Sequence, residues 1–239
     1  MSPAGGRVRH RAIYLHGGGW VNEIEPPHWR LVAQLAAETQ TAVRVPIYPL
    51  VPWGTAGEVI PHAAELISAD IAAAGPQETF VLGDSAGGQI ALSSSIYLRD
   101  NNFEQPRRLF LIAPVLDAAM SNPAIAEVAP SDPWLSSAGL GVYAEHWRGQ
   151  LSLDDPMVSP LSAEPAGLTA ITLFSGTRDI LNPDACAFAD NAAAAGVDID
   201  YVQGEGMVHV YPLLPIPEGR AARRHMVDAM NGTPPAVLT

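Results

Sequence analysis

Three places in the chain carry residue types and spacings suited to chemistry. Gly83-Asp84-Ser85-Ala86-Gly87, followed by Gly88, spells G-x-S-x-G, the pattern by which a sharp strand-to-helix turn exposes a serine hydroxyl. His16-Gly17-Gly18-Gly19-Trp20 offers three consecutive backbone N–H groups free of side chains, a means of facing a developing oxyanion. Asp179, in Gly176-Thr177-Arg178-Asp179, and His209, in Gly206-Met207-Val208-His209, supply a late acid and a late imidazole. A serine hydroxyl needs a base to take its proton, and the base needs an acid to fix its tautomer and steady its charge. Ser85, His209 and Asp179 fit these roles, so the expected chemistry is acyl transfer through a covalent serine intermediate.

These residues can meet only if the chain places them on one edge. Residues 12–15, 41–48, 79–82, 108–113, 170–174 and 197–203 read as strands. Residues 28–39, 56–74, 86–99, 183–195 and 217–230 read as helices, with apolar residues at helical spacing in 56–74 (Val59, Ala63, Leu66, Ile67 and Ile71). Alternation of this kind predicts right-handed βαβ units and a mostly parallel sheet. Ligands of such sheets bind beyond the carboxyl ends of the strands, and there all three motifs fall. Residues 115–168 are longer than one crossover requires. They read as an insertion beside the site or a surface excursion, with one helix near 133–148.

Other residues compete for these roles. Asp184 should lie inside a helix, Asp155 and His146 in the insertion, and His225 in the last helix as a solvated or packed side chain. His28 and His62 open or line helices, and His10 precedes a strand at the opposite sheet edge. The glycine cluster has no G-x-x-x-x-G-K-[ST] pattern, which argues against a phosphate loop.

Composition narrows the class. The chain has 239 residues and a net charge of −12, with 25 acids against 13 bases, every one of them arginine. That balance repels phosphate backbones, so nucleic acid is not an expected partner. Cys186 is the only cysteine, which excludes an internal disulfide and a cysteine-rich zinc site. No apolar run approaches the roughly 20 residues of a membrane-spanning helix. No secretory leader is evident, and a cytoplasmic location is the expectation.

Together, HGGGW, GDSAGG, GTRD and the late histidine resemble the hormone-sensitive-lipase-like branch of the α/β-hydrolases over about residues 12 to 211. Asp155-Pro156 with Ser159-Pro160-Leu161 is similar to a further stretch of that family. The resemblance implies an α/β-hydrolase fold with a mostly parallel sheet of about six to eight strands and the insertion near 115–168. It implies a carboxylesterase acting on short-to-medium acyl esters, with Ser85 as nucleophile, Asp179 as acid and His209 as base. Gly18, Gly19 and Ala86 would give the oxyanion hole, and no cofactor would be required. Trp20 and Asp84 are candidates for the substrate pocket, as are Trp134, Tyr143 and Trp147. An amidase, formamidase or deacetylase would use the same triad, and a non-catalytic ligand-binding member would keep the fold alone. The family often dimerises through its last strand and helix, here 197–203 and 217–230. Two departures stand out. Only 15 residues precede the HGGG motif, so residues 1–239 are expected to form one domain lacking the usual N-terminal cap segment. Tyr48-Pro49-Leu50-Val51-Pro52 replaces the family's Tyr-Arg-Leu-Ala-Pro.

Overall fold

A computed structural model describes residues 1–3 and 8–233. Six strands are present among them: β1 (His10–Leu15), β2 (Thr41–Arg44), β3 (Thr79–Asp84), β4 (Arg108–Ile112), β5 (Ala170–Gly176) and β6 (Ile199–Gly204). Every pairing is parallel, in the order β2-β1-β3-β4-β5-β6. Seven helices accompany them: α1 (Pro26–Thr39), α2 (Ala56–Ala74), α3 (Ala86–Asp100), the short α4 (Ile125–Val128), α5 (Ser137–Trp147), α6 (Asn182–Ala194) and α7 (Pro217–Asn231).

The two-residue period of the strands divides the core. Ile13, Leu15, Val81, Leu109, Leu111, Ile171 and Leu173 join the cluster that takes in α2, α3 and α6. Their neighbours Ala12, Tyr14, Phe80, Leu82, Phe110, Ile112 and Phe174 face the other cluster, with α1 and α7. Alternate side chains of a strand point to opposite faces, and helices cover both here. The register pairs Leu15 with Gly83, Asp84 with Ile112, Ile112 with Phe174 and Gly176 with Gly204. The carboxyl ends therefore form one rim, and the residues just past it can converge.

Several boundaries differ from expectation, two of them for reasons visible in the chain. β2 stops at Arg44 rather than running to Tyr48, because Pro46 has no N–H for a ladder. The final strand begins at Ile199, not at Val197, whose N–H instead closes the end of α6 on the Ala192 carbonyl. Of the two readings of His225, solvated or packed, the structure shows the packed one, with Nε2 2.6 Å from Asp200 Oδ2. The segment between β4 and β5 holds α4, α5 and short 3-10 turns. No described helix is long and apolar enough to cross a membrane.

Candidate active site

Ser85 stands at the handover from β3 to α3 with φ 52° and ψ −122°. This backbone region costs a non-glycine residue about 1–3 kcal/mol and persists only where surroundings impose it. Here the Ser85 N–H donates to the Ile112 carbonyl at 2.8 Å, and the Ser85 carbonyl accepts from Val115 N–H at 3.2 Å. The flanking glycines serve close packing. A Cβ on Gly83 would run into the Gly87 carbonyl, and one on Gly87 into the carbonyls of Leu15 and His16. The turn thus fits only where β1, β3 and α3 nearly touch.

Asp179 and His209 reach the same point from the loops after β5 and β6. His209 Nε2 lies 3.0 Å from Ser85 Oγ, and His209 Nδ1 lies 2.7 Å from Asp179 Oδ2. Asp179 is fully buried, and its Oδ1 accepts the Leu181 N–H at 2.9 Å. The two loops are stitched together: Arg178 N–H donates to the Met207 carbonyl at 2.9 Å, and Gly206 N–H to Thr177 Oγ1 at 2.8 Å. Burial opposes a charge on His209. The Asp179 charge and hydrogen bond outweigh it, helped by Asp84 and Asp132, and hold its pKa above the usual histidine value. The imidazole is therefore set to accept a proton.

The glycine loop flanks the serine on the other side. Gly18 and Gly19 have φ of 116° and 60°, a backbone that side chains rarely tolerate. Among the described residues, the N–H groups of Gly18, Gly19 and Ala86 donate to no protein acceptor. Gly17 differs, because its N–H donates to Asp84 Oδ1 at 3.0 Å. Asp84 Oδ1 also accepts from the buried Tyr14 hydroxyl, whose pKa is driven up by burial and by the Asp84 charge. His28 Nε2 faces Asp84 Oδ2 at 3.3 Å.

A cavity of about 250 Å³ opens above Ser85. Gly18, Gly19, Asp84 and His209 line it with Asn22, Glu23, Glu25 and His28, and Leu135, Leu140, Tyr143 and Val210 add apolar surface. Asp84 and Tyr143 of the expected pocket residues thus reach it. Trp20 does not. It is fully buried, stacks on Trp147 at 5.5 Å, and donates its indole N–H to Gln89 Oε1 at 3.1 Å. The buried Gln89 amide satisfies the one polar atom of Trp20, so the indole packs as core. Trp147 is core for the same stacking, and Trp134 is an exposed residue outside the lining.

Several residues at the site carry no motif. Asp132 accepts the Ile180 N–H at 2.9 Å and the N–H groups of Trp134 and Leu135, fastening the insertion to the turn that carries Asp179. Gln89 donates to the Met157 carbonyl at 2.8 Å and Ser93 to that of Pro156 at 2.7 Å, which anchors the Asp155–Leu161 stretch on α3. Tyr14 reads as an ordinary strand residue. His28 has one sequence signal, its place three residues after Glu25 at a proline-opened helix start.

Comparison with known proteins identifies the family. A family described as "alpha/beta hydrolase fold" matches residues 12–213. A triacylglycerol lipase of Mycobacterium tuberculosis is 32% identical over 203 residues, covering 84% of this chain and 42% of its own. An esterase of Acinetobacter venetianus is 28% identical, covering 82% of this chain and 65% of its own. The chain thus spans less than two thirds of the length of these two relatives. A solved esterase from the bacterial hormone-sensitive lipase family superposes with a TM-score of 0.90 at 25% identity, covering 97% of this chain and 79% of that one.

Proposed function

This chain belongs to the alpha/beta hydrolase fold family, and on that premise we propose that it is a serine carboxylesterase for short-to-medium acyl esters. The observation that carries the reading is the contact of Ser85 Oγ with His209 Nε2 at 3.0 Å, with Asp179 behind the imidazole at 2.7 Å. In this mechanism Ser85 attacks the ester carbonyl while His209 takes its proton. The tetrahedral oxyanion is held by N–H groups of Gly18, Gly19 and Ala86, which have no other protein acceptor among the described residues. His209 then protonates the departing alcohol, and water repeats the steps on the acyl-enzyme. The names of the relatives, a lipase and an esterase, favour an ester over other acyl substrates. The small cavity with apolar surface from Leu135, Leu140, Tyr143 and Val210 favours a short acyl group.

The test is hydrolysis of p-nitrophenyl acetate, butyrate and octanoate by the purified chain beside Ser85→Ala. The expected result is turnover strongest on the shorter esters and reduced at least about 10⁴-fold in the variant. The acid limb of kcat/KM should fall above the ordinary histidine value, because the base must be neutral and its pKa is raised. No turnover by folded wild type, or equal turnover by Ser85→Ala, overturns the proposal.

A dimer through β6 and α7 belongs to the same reading. β6 is an edge strand with mostly half-buried residues, and an open edge invites symmetric pairing. Light scattering should give twice the chain mass, and a monomer overturns this part alone.

A further inference from the structure

The proposed mechanism leaves two buried titratable groups in the cavity without a task, His28 and Asp84. His28 is 8% exposed, lines the cavity and lies two residues into α1 behind Pro26 and Pro27. Its Nδ1 accepts the Glu25 N–H at 2.9 Å. A ring nitrogen that accepts holds no proton, so in the neutral ring the proton sits on Nε2. That nitrogen faces Asp84 Oδ2 at 3.3 Å, while Asp84 Oδ1 accepts Gly17 N–H and the Tyr14 hydroxyl. A Cβ on Gly17 would strike the same carboxylate, so Asp84 and the start of the glycine loop are in direct contact. A continuous path thus runs from Glu25 N–H through His28 and Asp84 to Gly17, the residue before the two N–H groups assigned to the oxyanion.

We propose that His28, in its Nε2–H tautomer, is a positioning residue for the oxyanion loop and acts through Asp84. This rests on the esterase reading for its kinetic consequence, though not for its geometry. Asp84 is 2% exposed and adjoins the nucleophile. Its carboxylate would repel a developing oxyanion unless its charge were held by donors. Tyr14 and Gly17 hydrogen-bond Oδ1, and His28 Nε2 lies against Oδ2 at 3.3 Å. Charge-assisted hydrogen bonds are about twice as strong as neutral ones. Loss of the His28 ring removes the polar group that faces Oδ2, frees the carboxylate to turn, and loosens Gly17. The damage falls on the transition state, where the negative charge appears, rather than on binding of a neutral ester. The groups facing His28 are Asp84, Glu25, Tyr14 and His16, whose ring centre lies 6.1 Å away. Burial resists a charge on His28, but Asp84 and Glu25 draw its pKa above the usual histidine value. The neutral tautomer is therefore best read well above neutral pH.

Two measurements test this. The first is the long-range ¹H–¹⁵N spectrum of the histidine rings of the full chain at alkaline pH, with His28→Gln giving the assignment. The expected pattern is Nε2 protonated and Nδ1 bare, and the opposite tautomer overturns the proposal without reference to any substrate. The second compares His28→Phe with His28→Gln on p-nitrophenyl acetate. The phenyl ring keeps volume without a donor, whereas the Gln amide restores an N–H near the Nε2 position. His28→Phe should lower kcat about tenfold or more with KM within about twofold, and His28→Gln should recover most of it. An unchanged kcat in folded His28→Phe, a loss confined to KM, or a His28→Gln as slow as His28→Phe overturns it. If His28→Phe does not fold, the tautomer and the His28→Gln rate still decide. A wild type without turnover on any ester defeats the esterase reading instead, and leaves the tautomer measurement standing.

Discussion

Ser85, Asp179 and His209 are 8%, 0% and 6% exposed, whereas Tyr143 and Trp134 on the insertion are 38% and 53% exposed. The first set stands on a rim of parallel strands whose loops are bonded to one another. The second set stands on α5 and its approach, tied to the rest by contacts such as Asp132 on Ile180 N–H, Asn122 on Asp184, Arg178 on the Ser131 carbonyl, Trp147 against Trp20, and the 155–161 stretch on α3. One cavity thus has a wall of strand-end loops bonded to one another and a wall of Leu135, Leu140 and Tyr143 carried by the insertion, with the exposed Trp134 outside it. Under the proposed function the contrast gives chemistry to the strand ends and selectivity to the insertion, since loops on a rigid scaffold vary most freely.

The sharpest way to break this contrast is at the rigid wall. Gly87→Ala adds one methyl group where the carbonyls of Leu15 and His16 already occupy the space. Backbone cannot rotate away as a side chain would, so β1 and α3 must part and carry the glycine loop and Ser85 with them. We expect at least about a 10³-fold loss of kcat/KM with destabilisation of about 3 kcal/mol or more. Esterase assays beside urea unfolding check both. A variant of wild-type stability and rate would mean that the strand-end wall is compliant after all.

Next comes the clamp between the two walls. Asp132 joins the insertion to the residue after Asp179 and helps raise the pKa of His209. Asp132→Ala removes the acceptor of three N–H groups. We expect roughly a tenfold fall in kcat and an acid limb displaced to lower pH. A fall in rate without displacement of the limb would leave Asp132 as a mechanical tie only.

How far these walls are legible in the sequence differs in the same way. Ser85, Asp179 and His209 each follow a strand-like run and stand beside glycines, so local pattern suffices to single them out, and the structure brings them together. The parallel sheet follows from alternation of apolar runs with helical ones. What pattern does not carry is pairing across the fold. Asp132 lies 48 positions from its partner Ile180, and Gln89 lies 69 from Trp20. Trp20 reads as a pocket residue because it adjoins the glycine loop; its burial depends on Gln89 and Trp147, which only the folded chain supplies. His28 and Tyr14 gain meaning only once β1 and α1 converge on Asp84.

A smaller effect is expected at the outer wall. Tyr143 rests against Gly19 and bounds the cavity with Leu135 and Leu140. Tyr143→Ala enlarges the space without touching the reacting groups. The ratio of octanoate to acetate turnover should rise about three- to tenfold, with kcat on acetate changing less than about threefold. Equal losses on all chain lengths would instead place Tyr143 with the rigid wall.

The smallest effect tests whether the two regions are energetically separate. Asp184 opens α6 on the strand-end side, and its Oδ1 accepts from Asn122 on the insertion at 2.9 Å. Burial, partly offset by that hydrogen bond and reinforced by Asp117, pushes its pKa up to about 6. A carboxyl whose folded pKa is raised contributes stability below its unfolded pKa and loses it as pH rises through the folded one. Above about pH 6 wild type therefore carries a buried charge whose Oδ2 has no partner. Asp184→Asn keeps an acceptor for Asn122 and never ionises. It should be roughly 1–2 kcal/mol more stable than wild type at pH 8, an advantage that shrinks towards pH 4. Urea midpoints at the two pH values measure this. Turnover on p-nitrophenyl acetate should stay within about twofold, because Asp184 touches neither Ser85 nor its partners. Should turnover change with stability, the tie to Asn122 reaches the catalytic wall, and the two regions act as one.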